Sequence, residues 1–229
     1  MRYHRLYALT VLLSLTLHCH ATLVTEISQF PSGASLIDFS QFTTTNVFGP
    51  GPIEVGQLIG ESVLWSSNNT GSAIFSSSNP SYGLGANGVW SSPMSFAGVN
   101  GQPDGQINSM RFGFAAGPVR SIGGLINYVP NNPAAFAFAR ISALDINGSV
   151  IESYNLMSAA PISTPSATNQ GAFRGIVHAT DDIYAFELSN AVIAIDNLRF
   201  ARVVPEPTSA ALLSFGVLLL ARRRASNSK

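Results

Sequence analysis

The chain has few of the residues that make cross-links and metal sites. Its 229 residues include one cysteine, Cys19, so everything after the leader-like start lacks disulfides and thiol chemistry. Three of the four histidines, His4, His18 and His20, also fall in the first twenty residues, which leaves His178 alone. One histidine without cysteine cannot build the usual tetrahedral zinc site. Lysine occurs once, at Lys229, and charged residues make up only 10% of the chain. No glycine-rich phosphate loop stands between a strand and a helix. No run of ten or more residues between the two ends has a helical period.

What is present at the ends is directional. Met1-Arg2-Tyr3-His4-Arg5 is a basic start and residues 6–17 are apolar, while Cys19-His20-Ala21 offers small residues for cleavage after Ala21. This reads as a signal helix over 1–21. An uncleaved anchor and a lipid-modified Cys19 are the alternatives, the latter opposed by His18 where a small residue is wanted. At the other end Pro207 can occupy a first helical turn, where its missing N–H costs nothing. The uncharged run 209–221 follows, then Arg222, Arg223 and Arg224. At about 1.5 Å per residue such a helix spans roughly 20 Å, short of a ~30 Å hydrocarbon core. The arginines act as a membrane stop and would stay inside, leaving the upstream chain outside.

Val204-Pro205-Glu206-Pro207-Thr208, the apolar run and the arginine cluster, in that order, resemble the PEP-CTERM sorting signal of Gram-negative-type bacteria. The resemblance covers residues 203–229 and concerns trafficking. It implies an exosortase-type membrane protease as partner, after the secretion translocon and signal peptidase. It also implies transient inner-membrane anchoring, processing near Pro205-Glu206-Pro207, and residence at the cell surface or in an extracellular matrix. A permanent C-terminal anchor is the alternative. Related tails occur on ice-binding proteins, but ice binding wants a repetitive threonine surface, and Thr43-Thr44-Thr45 is a single run.

Setting both ends aside changes the charge. Residues 22–204 keep six arginines, Arg111, Arg120, Arg140, Arg174, Arg199 and Arg202, against eleven acids, a net charge of −5. An acidic body without lysine excludes nucleic acid as a partner, since phosphate recognition needs clustered basic residues.

The body, 22–202, is predicted to be all-β. Turn-forming Gly, Ser, Asn and Pro recur every few residues between short segments rich in Val, Ile and Phe. Strands are expected at 36–42, 62–65, 72–76, 89–91, 107–115, 119–128, 135–146, 149–156, 172–178, 183–189 and 191–200. Ala116-Gly117-Pro118 suggests a hairpin joining 107–115 to 119–128. Phe136, Phe138, Leu144 and Ile146 share one phase of a period-2 alternation. Asn147-Gly148 signals a second hairpin through a type I′ turn. In the last strand Ile193 and Ile195 are out of phase with Leu198 and Phe200, so a bulge or bend is expected at Asp196-Asn197. Paired short strands without helical crossovers favour an antiparallel β-sandwich. The segments from Ser121, from Ser149 and from Ala194 resemble the jelly-roll bodies common among PEP-CTERM proteins, which implies a carbohydrate-binding-like sandwich.

Candidate chemistry in the body is sparse. His178 lies near Asp181 and Asp182, but a nucleophilic triad needs three groups together in space. Carboxylate pairs for glycoside hydrolysis could be drawn from Glu54, Glu61, Asp145, Glu152 and Glu187, with no motif to single one out. Calcium is the one cofactor considered. Asp104 in Asn100-Gly101-Gln102-Pro103-Asp104-Gly105, and Asp181 with Asp182, offer hard oxygens in loops, although Asn, Asp and Gly also fill turns for backbone reasons. Asp196-Asn197 reads as a bend. Trp65, Tyr82, Trp90 and Tyr128 are sugar-stacking candidates, although large aromatics are also what a sandwich core is made of, and packing is the favoured reading. The expectation is an exported, non-enzymatic structural or adhesive protein with polysaccharide as its partner. A secreted polysaccharide-acting enzyme is the alternative.

Overall fold

The computed structural model describes residues 21–100, 108–130 and 138–203. The signal helix, Asp104, the sorting motif and the arginine cluster therefore lie outside the described residues. Among the described residues no helix is long and apolar enough to cross a membrane.

In the first half, glycine, proline and asparagine interrupt the chain so often that strands stay short. These are β1 (Thr22–Val24), β2 (Ser35–Ile37), β3 (Val47–Phe48), β4 (Ile53–Glu54), β5 (Val63–Ser67), β6 (Ala73–Phe75), β7 (Tyr82–Gly83), β8 (Val89–Trp90) and β9 (Phe96–Val99). The second half holds longer runs: β10 (Ser109–Phe114), β11 (Ser121–Tyr128), β12 (Arg140–Leu144), β13 (Val150–Asn155), β14 (Ala172–Val177), β15 (Ala185–Ser189) and β16 (Ile193–Ala201). Besides three short 3-10 turns there is one α-helical turn among the described residues, α1 (Leu156–Ala159), which starts where Asn155 Oδ1 accepts the Met157 N–H at 3.0 Å.

The protein is all-β, built of antiparallel sheets. The larger runs β1-β14-β11-β16-β9-β6-β3, with β2 also on β16; the smaller runs β13-β12-β15-β10-β5-β4; β7 and β8 form a separate ribbon. From β9 onward the chain shuttles between the two: β9, β11, β14 and β16 enter the larger sheet, and β10, β12, β13 and β15 the smaller. The core forms between them. Ile122, Ile126, Ile193, Ile195, Leu198 and Phe200 from one sheet cluster with Met110, Phe112, Ile141, Phe186 and Leu188 from the other. Phe114 and Phe200 meet at 5.1 Å between ring centroids. Each such side chain contributes about 1.5–3 kcal/mol through burial.

Four local expectations change. The strand expected at 36–42 ends at Ile37, because Phe39 takes a left-handed backbone (φ 55°) and Asp38 Oδ1 accepts the Ser40 N–H at 3.1 Å. Strands β10 and β11 form no hairpin; the Ala116-Gly117-Pro118 turn carries the chain from one sheet to the other. In the 135–146 strand the buried phase is Ala139, Ile141 and Ala143, while Phe138 is 54% and Ile146 69% exposed. Leu144 is buried as well, past an irregularity between Ala143 and Leu144, so one unbroken alternation misassigns the face. The β12–β13 hairpin exists, but only Gly148 of the Asn-Gly pair has positive φ, 77°. Gly148 N–H bonds Asp145 O at 3.0 Å and Asp145 N–H bonds Ser149 O at 2.9 Å. That pattern is a type I turn with a left-handed glycine bulge, and Asp145 Oδ1 stabilises it by accepting the Asn147 and Ser149 N–H groups.

The bulge in the last strand is where the sequence phase places it. Gly123 pairs with Arg199 and Leu125 with Asp196, so one residue of β11 faces two of β16, and Asn197 has φ 50°.

Candidate polar cleft on the outer face of the larger sheet

The bulge has a second effect: β16 changes neighbours there. Before it, Ile193 to Ile195 pair with β9; after it, Leu198 to Phe200 pair with β2. Because Ile193, Ile195, Leu198 and Phe200 all point into the core, Ala194, Asp196 and Arg199 are left on the outer face. Around Ala194 that face is covered by the 73–96 segment, where Ala73, Phe75, Tyr82, Leu84, Trp90 and Phe96 make a second, smaller core. Gly98 lets the cover approach, since a Cβ there would stand 2.9 Å from the Phe75 ring and 3.0 Å from that of Tyr82.

Where the cover ends, a cavity of about 510 Å³ opens between the ends of β2 and β9. It is lined by Asp38, Ser40, Thr43, Ser77, Pro93, Met94, Ser95, Asn169 and Asp196. Hydrogen bonds hold its walls. Ser95 Oγ donates to Phe42 O at 2.9 Å, Ser77 Oγ to Thr43 O at 3.0 Å, and Asn169 Oδ1 accepts the Ser91 N–H at 2.7 Å. Three residues at or beside it, Phe39, Asn169 and Asn197, have positive φ. Asparagine tolerates this conformation, whereas the bulky Phe39 is held there by burial against Phe112, 6.1 Å between centroids.

The two carboxylates of the cleft differ. Asp196 is 6% exposed, and burial pushes its pKa up to about 7; the Asn197 N–H, 2.6 Å from Oδ1, opposes this, and the charge of Asp38 adds to it. Asp38 is exposed and held below its ordinary value by the Ser40 hydroxyl and N–H. The cleft therefore joins one carboxylate whose charged form is favoured by hydrogen bonds, Asp38, to one whose protonated form is favoured by burial, Asp196. Five further polar side chains surround them, and Pro93 with Met94 supplies an apolar patch.

The residues singled out from sequence lie elsewhere. Trp65 and Tyr128 sit in the main core and Tyr82 and Trp90 in the smaller one, all buried, so no ring face is presented for stacking on a sugar. Their polar atoms turn inward too: Tyr82 donates to Val99 O at 2.8 Å, Trp90 Nε1 donates to Gln170 O at 2.7 Å, and the Tyr128 hydroxyl accepts the Ile162 N–H at 3.0 Å. Asp181 accepts the Val203 N–H, at 2.8 and 3.1 Å. Asp182 meets His178 Nδ1 at 2.7 Å and accepts from Thr180 Oγ1 at 3.3 Å. No group of three or more His, Cys, Asp or Glu side chains gathers among the described residues. His178 Nε2 is buried without a hydrogen-bond partner, so among the described residues no serine stands at the position a triad requires.

Four of the five acids weighed as hydrolytic pairs have structural duties, Asp145 in the β12–β13 turn among them. Glu54 accepts the Gly56 and Val63 N–H groups, Glu61 pairs with Arg202 at 3.0 Å, and Glu187 pairs with Arg111 at 2.6 Å. The pair that does share a cleft, Asp38 and Asp196, was not among them. Asp196 had a signal, an acid inside the apolar run Ile193-Ala194-Ile195, read only as a bend. Asp38 had none, because its partner lies 158 positions away in sequence. The chain matches no family model, no curated protein and no solved structure.

Proposed function

We propose that this chain is an exported, non-enzymatic surface or matrix protein whose sandwich binds extracellular polysaccharide in the Asp38–Asp196 cleft. The cleft carries the reading. Seven hydrogen-bonding side chains and one small apolar patch line about 510 Å³, the mix that engages sugar hydroxyls and the C–H face of a ring. Carboxylates accept from neighbouring hydroxyls, and the serine, threonine and asparagine side chains both donate and accept.

We read β9 to β16 as a jelly roll. In support, the chain passes between the sheets, with β12 and β13 the one consecutive pair in the same sheet, so that β9-β16-β11-β14 and β10-β15-β12-β13 are neighbours in the same sequence of roles. Export rests on the leader and on the tail from Val203 to Arg224. The first strand begins at Thr22, directly after the proposed cleavage point at Ala21, and β16 ends at Ala201, just before the tail. Processing at both ends would thus leave every strand intact.

Intact mass and N-terminal sequence of the protein recovered separately from membrane and medium test the export reading. The expected product starts at Thr22 and lacks residues 209–229; a membrane product that keeps them makes the tail a permanent anchor. Glycan arrays with the released protein test the cleft, and Asp38→Asn is expected to weaken binding at least tenfold. An array with no hits would overturn the binding role.

A second reading, hydrolysis, is favoured by one observation: the two carboxylates have pKa values pushed apart, as an acid and a base require. New reducing ends that appear with the wild-type protein and vanish with Asp38→Asn would establish it.

A further inference from the structure

Beyond the bulge, Arg199 is the next β16 side chain on the outer face, since Leu198 and Phe200 point into the core. It lines a second cavity, of about 330 Å³, whose wall is the segment from Ile27 to Ala34, including the hydroxyl-bearing Ser28 and Ser32. The other arginines show how unusual its position is. Arg111 pairs with Glu187, Arg202 with Glu61, Arg174 donates to the carbonyls of Ala160, Pro161, Thr25 and Phe173, and Arg140 reaches Ser153. Arg120, with a buried Nε that finds no partner, lines neither cavity. Arg199 has no ion pair and its guanidinium no hydrogen bond among the described residues. This is so in a body where acids outnumber arginines eleven to six.

Among the described residues no carboxylate lines the cavity. Glu26, adjacent to its wall in sequence, is tied to that turn through its backbone, its N–H donating to Gln29 Oε1 at 3.1 Å and its carbonyl accepting the Gln29 N–H at 3.1 Å. A guanidinium left free in a concavity that two serines also line offers a planar fork of donors and no acceptor of its own. The chemistry that fits is an oxyanion.

We infer that the Arg199 cavity is an oxyanion subsite, and that the polysaccharide bound by the neighbouring cleft carries acidic groups, either uronate carboxylates or sulfate esters. The inference about the polysaccharide rests on the proposed function; the oxyanion site itself does not. Both concavities are on the same face of the larger sheet and on the same strand, with Asp196 and Arg199 three positions apart. A chain lying along that face would present hydroxyls to one and acidic groups to the other.

The test uses the protein released by the producing cells, with polygalacturonate, dextran sulfate and neutral dextran as probes in affinity electrophoresis. Free galacturonate and sulfate are titrated in parallel while the Arg199 Nε–H resonance is followed by NMR. Wild-type protein is expected to prefer an acidic polymer at least tenfold over neutral dextran. Arg199→Gln should remove that preference, and Arg111→Gln, which changes net charge equally on the other sheet, should leave it in place. The polymer that shows the larger Arg199-dependent gain decides between carboxylate and sulfate. Equal losses in the two variants would reduce the effect to overall charge and overturn the subsite. Neutral-glycan binding without acidic preference would also overturn it, while the cleft reading stands. Titration of the Arg199 resonance by the free anions, with no polymer bound, would keep the subsite and sink the polysaccharide reading.

Discussion

The two faces of β16 follow the same alternation yet do opposite work. Inward, Ile193, Ile195, Leu198 and Phe200 are buried in the core between the sheets. Outward, the same nine residues carry Ala194 under a second core, Asp196 in one cavity and Arg199 in another. The bulge at Asn197 makes this possible. One extra residue restores the apolar phase to the core and lets the neighbour change from β9 to β2, opening a gap beside a buried acid. Stability and polar chemistry share a strand and are separated by its pleat.

That contrast can be broken most forcefully from inside. Phe200→Ala removes a buried ring that meets Phe114 and should cost about 3–5 kcal/mol in denaturant unfolding, with both cavities lost as the sheet loosens. If the cost stays below about 1 kcal/mol, the inner face is not what holds the fold. On the outer face, Gly98→Leu drives a side chain into Phe75 and Tyr82 and should cost about 1–3 kcal/mol, because a packed cover has no room to absorb it.

Asp196 gives an effect of the opposite sign. Its pKa is near 3.9 in an unfolded chain and about 7 in the fold, so between those values the native state holds a proton that the unfolded state has lost. Stability should therefore fall as pH rises through that window and level off above it. Asp196→Asn keeps an acceptor for the Asn197 N–H without the charge. It should be about as stable as wild type at pH 4 and more stable, by about 1–3 kcal/mol, at pH 8. A variant with an unchanged pH profile would show that Asp196 is not desolvated. Smallest of all, Arg111→Gln breaks an ion pair whose arginine side chain is 47% exposed, and should change stability by less than about 1 kcal/mol.

Much of this was readable from local pattern. Turn residues at short intervals and the absence of helical period identify an all-β body, and the phase flip between Ile195 and Leu198 identifies the bulge, because strand alternation is a property of adjacent residues. Asn147-Gly148 announced a hairpin for the same reason. Its turn type was not legible: an Asp at position 145 binding two N–H groups favoured a bulged type I turn over type I′.

The sequence by itself determined what depends on neighbours: strand periods, the hairpin, the bulge, and the acidic charge balance of the body. Only the tertiary structure decided what depends on distant pairings. It placed the strand after Gly117 in the opposite sheet, and it turned Trp65, Tyr82, Trp90 and Tyr128 inward to two cores. It also brought Asp38 to Asp196 across most of the chain and, among the described residues, left the Arg199 guanidinium without a partner. The physical reason is that burial and charge pairing are set by whichever segments meet in space, and in a sandwich whose strands shuttle between sheets those segments are far apart in sequence.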